Sequence, residues 1–100
     1  MRVIALSTLK AFWSSSSAYS DSREPGLAWY RETLKADWAN PNDVKAQFSN
    51  ASILKDGRVV FNIAGNKYRL VVWINYAYRV VYIRFIGTHK QYDAIDAQTI

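Results

Sequence analysis

Two arginines stand inside runs that otherwise read as apolar strands: Arg69 within residues 68–75 and Arg84 within residues 79–86. The single histidine, His89, follows directly, with Tyr92 and Asp93 close behind it. A charge in a strand interior is costly unless it has a partner or a task. Arginine suits phosphate because its planar fork gives two parallel hydrogen bonds and its charge is permanent. Imidazole titrates near neutrality and can give or take a proton. These residue types in this order point to phosphate chemistry. One histidine and no cysteine leave no metal-ligand spacing. Cysteine nucleophiles are absent and no Gly-x-Ser-x-Gly elbow occurs.

Side chains alternate across a strand, so position decides which charges meet. Arg69, Val71, Trp73 and Asn75 share one face of their strand, and Tyr68, Leu70, Val72 and Ile74 share the other, better core face. In the next strand Tyr82, Arg84 and Ile86 share a face, opposite Arg79, Val81, Ile83 and Phe85. Arg69 and Arg84 are therefore expected together, on the face opposite the aliphatic core. The competing reading is that both are solvated, or paired with Asp56, Asp93 or Asp96. His89 is either a surface polar residue or a proton-transfer group. Tyr92 and Asp93 lie three and four residues beyond it, at helical-neighbour spacing. Tyr92 alone reads as packing, and Asp93 could orient His89. Trp73 and Tyr82, on the arginine-bearing faces, can pack or stack on bases. Trp13, Trp29 and Trp38 read as core or helix-packing residues.

The elements that must position these residues follow from periodicity and punctuation. Residues 3–6 read as a first strand, and Ser7 as the N-cap of a helix through Leu9, Phe12 and Trp13. Residues 20–26 form a polar break containing Pro25. Leu27, Trp29, Tyr30, Leu34 and Trp38 recur at near-helical spacing and predict a second helix. Asn40 and Pro41 start a short third helix with Val44 and Phe48 on one face. Strands follow at 53–54, 59–63, 68–75 and 79–86, with Asp56-Gly57 as a hairpin signal. Gly87 is expected to end the last strand, before a helical turn within residues 90–97. Helices first and an antiparallel meander after is the α+β pattern, with one sheet face covered and the other partly open.

At 100 residues the chain is expected to be one domain, residues 1–100, with half its residues hydrophobic. No run approaches the ~18 apolar residues of a membrane span. The first six residues faintly resemble a leader, but Ser7, Thr8 and Lys10 interrupt them, so an intracellular, cytoplasmic protein is expected. Lack of cysteine is compatible with a reducing compartment. Net charge is +5, and it is lopsided: residues 1–50 hold six Lys/Arg against five Asp/Glu, and residues 51–100 hold seven against three. The positive half is the sheet half, which favours an anionic partner such as nucleic acid or an acidic protein; charge kept for solubility alone is the equal competing reading.

Residues 60–70, reading Val-Phe-Asn-Ile-Ala-Gly-Asn-Lys-Tyr-Arg-Leu, then Tyr82-Ile-Arg-Phe and Gly87-Thr-His-Lys-Gln-Tyr-Asp93, resemble the HigB family of type II toxin–antitoxin toxins. The similarity is clearest over residues 53–93. Ala64 departs from the pattern, standing where the family's turn carries glycine. The resemblance implies a RelE-like fold: an N-terminal strand and two to three helices on a mostly antiparallel four- to five-stranded sheet. It implies an endoribonuclease that cuts mRNA, on translating ribosomes, without a cofactor or metal. Its implied partners are the ribosome and its rRNA, and a HigA-type helix-turn-helix antitoxin that alone contacts promoter DNA; no membrane is involved. Arg69 and Arg84 match the family's phosphate-binding arginines. His89 would be general acid or base, with Asp93 orienting it and Tyr92 stacking or assisting. Lys55, Lys67 and Lys90, with Trp73 and Tyr82, would contact RNA. The alternative is a non-catalytic RNA- or ribosome-binding module, or a degenerate toxin that only binds its antitoxin.

Overall fold

Apolar side chains at every second position of the C-terminal half build a sheet, and helices from the N-terminal half seal one of its faces. The computed structural model describes all of residues 1–100. Its elements are β1 (Arg2–Ile4), α1 (Leu6–Ser15), a 3-10 turn (Ser17–Ser22), α2 (Arg23–Lys35), α3 (Pro41–Gln47), β2 (Ser52–Ile53), β3 (Arg58–Ile63), β4 (Tyr68–Asn75), β5 (Val80–Thr88) and α4 (His89–Asp93). The five strands lie in the order β1-β5-β4-β3-β2. Only β1 is parallel to its neighbour; β2 to β5 form the expected antiparallel meander.

Local signals explain most boundaries. The Asn40 side chain accepts from the Asp43 N–H at 3.1 Å, and Pro41 follows as a helix starter, so α3 begins where expected. Asp56 and Gly57 both have positive φ, 55° and 81°, as the hairpin signal requires. Three expectations fail. Ala5, not Ser7, precedes α1, and Ser7 lies within the helix. Pro25 does not break the chain but sits in the first turn of α2, where an N–H has no intrahelical partner to lose. In α2 the buried stripe is Gly26, Trp29 and Thr33, so Leu34 is turned outward, and Trp38 is buried from beyond the helix end.

The main core joins Leu9, Trp29, Trp38 and Val44 to Phe61, Tyr68, Leu70, Val72 and Ile74 on the helix-facing side of the sheet. Phe61 is its aromatic centre, with Trp29, Trp38 and Phe48 rings at 5.4, 6.1 and 5.2 Å. The opposite face is more covered than expected. A second cluster of Val60, Val71 and Ala97 is packed by Leu54, Phe85, Tyr92, Ile95 and Ile100. The helical turn foreseen within residues 90–97 is the shorter α4, and the segment beyond it lies across the sheet. Gln98 holds that segment down: its side-chain amide donates to the Lys55 carbonyl at 2.7 Å and accepts from the Lys55 N–H at 2.8 Å.

One polar knot ties the 3-10 turn to β4. The Asp21 carboxylate accepts hydrogen bonds from the Lys67 ammonium and the Tyr68 hydroxyl. Lys67, and after it Tyr68, hold the Asp21 carboxyl below its ordinary 3.8. A depressed carboxyl stabilises the fold above its ordinary pKa, and that benefit is lost as pH falls through the folded value. Asp21→Asn should lower Tm near pH ~7, with the gap to the parent closing in melts taken progressively below pH 3.8. Ala64 has φ 56° in the β3–β4 turn, a conformation that costs a residue with a Cβ about 1 kcal/mol. Ala64→Gly should therefore raise Tm by about 4 °C.

Candidate functional site

Pairing of β3, β4 and β5 sorts the face opposite the main core into rows. Arg58, Trp73 and Tyr82 form one row; Val60, Val71 and Phe85 the next; Asn62, Arg69 and Gly87 the third. The register slips between Val71 and Val72: Val71 opposes Phe85, Val72 opposes Ile83, and Arg84 has no opposite residue. Arg84 is the extra residue of a β-bulge. This corrects the expected faces of β5. Beyond the bulge parity reverses, so Ile86 opposes Leu70 in the main core and Phe85 joins Val60 and Val71. Arg84 itself stays exposed, its guanidinium 5.9 Å from the Tyr82 ring centroid, on the face where alternation placed it.

Arg69 is half-buried, and its guanidinium donates to the Asn66 carbonyl at 2.9 Å. The chain's ion pairs are Arg23–Glu24, Lys67–Asp21, Arg79–Asp37 and His89–Asp93. None includes Arg58, Arg69 or Arg84, so the competing reading in which Asp56, Asp93 or Asp96 neutralises Arg69 or Arg84 does not hold. The other half of that reading, a solvated guanidinium, describes Arg84, which is exposed.

α4 starts from the end of β5, two residues past the position opposite Arg69. Thr88 caps it reciprocally: its hydroxyl accepts from the Gln91 N–H at 3.2 Å, and its N–H donates to the Gln91 side chain at 2.8 Å. The helix brings His89 Nδ1 to 3.4 Å from Asp93 Oδ2, both side chains more than half exposed. That contact engages Nδ1, and Nε2 makes no hydrogen bond within the chain. Tyr92 turns the other way, onto the second cluster, and borders a cleft of about 460 Å³ with Leu54, Asp93 and Ile95. A separate cleft of about 330 Å³ beside Phe48 and Phe61 contains none of the candidate residues. His89–Asp93 is the one hydrogen-bond-range contact among the five candidate catalytic residues. Arg69 and Arg84 share a face but are separated along the sheet by the Phe85 row.

The candidate RNA contacts are scattered. Lys67 is spent on Asp21, at the helix side of the sheet. Lys55 and Lys90 are exposed. Trp73 and Tyr82 stack at 5.1 Å between centroids, with 30° between planes, and the Trp73 indole donates to the Asp56 carbonyl at 2.9 Å. Arg58, beside Trp73, was missed; its place depends on strand register, although alternation with Val60 was visible. No three His, Cys, Asp or Glu side chains gather as a metal site.

The model of the HigB toxin family, the RelE-like toxic component of a toxin–antitoxin system, matches residues 22–95. The chain is 31% identical over 94 residues to the mRNA interferase toxin HigB of Escherichia coli strain K12, covering 92% of this chain and 90% of that protein. The mRNA interferase HigB of Shigella flexneri matches to the same extent. An mRNA interferase HigB from Escherichia coli O6:H1 is 25% identical over 68 residues, 66% of each chain.

Gly87 lets the site close. A Cβ on it would come within 2.6 Å of Phe85 Cζ and 2.8 Å of Gln91 Oε1, so a side chain there would have to displace the Phe85 ring and the Gln91 amide that caps α4. Gly87→Ala should destabilise the fold by about 1–3 kcal/mol. The urea midpoint should fall while the slope of the transition stays unchanged.

Proposed function

The chain belongs to the HigB family of RelE-like toxins, and we propose that it cuts RNA by 2′-hydroxyl attack, on the arginine-bearing sheet face and the α4 that borders it. It is the toxin component of a toxin–antitoxin system, an mRNA interferase with an antitoxin as its partner. In the proposed reaction the O2′–P bond forms and the P–O5′ bond breaks. A base takes the 2′-hydroxyl proton and an acid protonates the departing 5′-oxygen, with no metal ion involved.

The observation that carries this reading is the set of arginines on one face with no acidic partner. Arg84 and Arg69 stabilise the charge that builds on the phosphorane, an effect of about 10²–10³ in rate per well-placed donor. His89 moves a proton through Nε2, worth about 10²–10⁴, while Asp93 steadies Nδ1. Tyr92 supports α4 from beneath and flanks the site. Lys55, Lys90, Trp73 and Tyr82 guide the RNA, and Lys67 adds less because Asp21 already holds it. The substrate is engaged on the translating ribosome in the cytoplasm. The antitoxin is HigA-type and carries any contact with promoter DNA.

Inducible expression with mapping of RNA 5′ ends tests this. The parent should arrest growth and leave transcripts cut within translated codons. His89→Ala should lower cleavage by at least about 10²-fold, and Arg84→Ala by a similar factor, with unchanged circular dichroism. If His89→Ala cuts as well as the parent, the role of His89 is wrong. Binding to ribosomes with no cut at any stage would return the protein to a non-catalytic module.

A further inference from the structure

The row formed by Arg58, Trp73 and Tyr82, with the bulged Arg84 beside it, has properties that the cleavage chemistry does not require. Neither the Trp73 nor the Tyr82 ring belongs to the main core or to the second cluster. Yet the rings are fixed in a stack at 5.1 Å, and the Trp73 indole is pinned to the Asp56 carbonyl at 2.9 Å. The hairpin turn packs closely on β4: a Cβ on Gly57 would lie 2.7 Å from the Ile74 carbonyl oxygen and 3.0 Å from Trp73 Nε1. Cationic groups stand on both sides. Arg84 reaches over Tyr82 from β5, and Arg58 borders Trp73 from β3. Arg58 Nε is buried without a hydrogen-bond partner, and no acid pairs with either guanidinium.

We propose that Arg58, Trp73 and Tyr82 form a nucleotide subsite of single-stranded RNA, next to the bulged Arg84 of the cleavage site. The aromatic pair takes the base of a nucleotide flanking the scissile phosphate, and Arg58 takes that nucleotide's backbone phosphate. This rests on the RNA-cleavage reading for its substrate and adds to it a positioning residue, Arg58. Aromatic rings beside arginines are the common solution for holding unpaired bases, because every base offers a π-face while the backbone offers charge. The row lies four residues along β4 from Arg69, about 13 Å, so it holds a neighbouring nucleotide rather than the reacting one. The Trp73 stack supplies affinity and register; Arg58 supplies a salt-sensitive phosphate contact.

The test uses the purified full chain and a short 2′-fluoro RNA carrying 2-aminopurine, which cannot undergo 2′-hydroxyl attack. Binding to the parent should quench the 2-aminopurine fluorescence. Trp73→Ala should lose the quench and weaken binding about ten-fold, and Trp73→Phe should restore much of both. Arg58→Ala should lower the slope of log affinity against log salt by about one, and Arg58→Lys should recover it. If Trp73→Ala fails to fold by circular dichroism, Tyr82→Ala and the Arg58 pair carry the test. A retained quench in a folded Trp73→Ala or Tyr82→Ala protein, or an unchanged salt slope in Arg58→Ala, overturns the subsite. So does loss of antitoxin binding in these variants with RNA binding intact, which would assign the row to the antitoxin. A parent that quenches the probe but leaves no cut transcripts in cells keeps the subsite and discards the cleavage reading.

Discussion

The way β5 serves both faces of the sheet depends on one extra residue. Without the bulge at Arg84, strict alternation would carry Phe85 into the helix-side core and push Ile86 out beside the arginines. Inserting Arg84 between two paired positions lets Ile83 and Ile86 both face the core, three residues apart. It also lets Phe85 seal the second cluster. A bulge sharpens twist and re-aims a side chain, and the one re-aimed here is a guanidinium. The apolar order of β5 thus satisfies two cores at once while keeping a charge at the surface.

The second cluster determines how much of that face is open. Val60 and Val71 are almost wholly buried by α4 and the segment after it. The middle row is therefore dry and mechanical, and the cationic rows lie at its two ends. One end carries Arg69 beside the start of α4, where His89 and Asp93 meet. The other carries Arg58 and the Trp73–Tyr82 stack, with Arg84 near it. Backbone pairing fixes where Arg58, Arg69 and Arg84 leave the sheet, and no salt bridge ties their side chains.

The helical side does different work. Trp29, Trp38 and Phe48 surround Phe61, and the Asp21–Lys67–Tyr68 knot closes the sheet edge by the β3–β4 turn. Lys67 illustrates how a basic residue beside a candidate site can be structural. Its sequence position next to Arg69 suggested the same substrate, but it turns to the opposite side of the sheet, where Asp21 lies.

Much of the architecture was legible because its signals are local. Asp56-Gly57 specifies a tight hairpin through its backbone angles, Asn40-Pro41 starts a helix through its cap, and the β-branched run of residues 68–75 reads as a strand. The shared face of Arg69 and Arg84 followed from side-chain alternation, and the family resemblance followed from residues 60–70 and 82–93. Pro25 and Leu34 misled because the first turn of a helix tolerates proline and because the buried stripe of α2 is set by what it packs against. Tertiary structure alone decided the bulge, the burial of Val71 beneath the C-terminal segment, the partner of Lys67 and the alignment of Arg58 with Trp73. These are contacts between segments distant in sequence or shifts in pairing register, and no short stretch of sequence contains the energy that selects them.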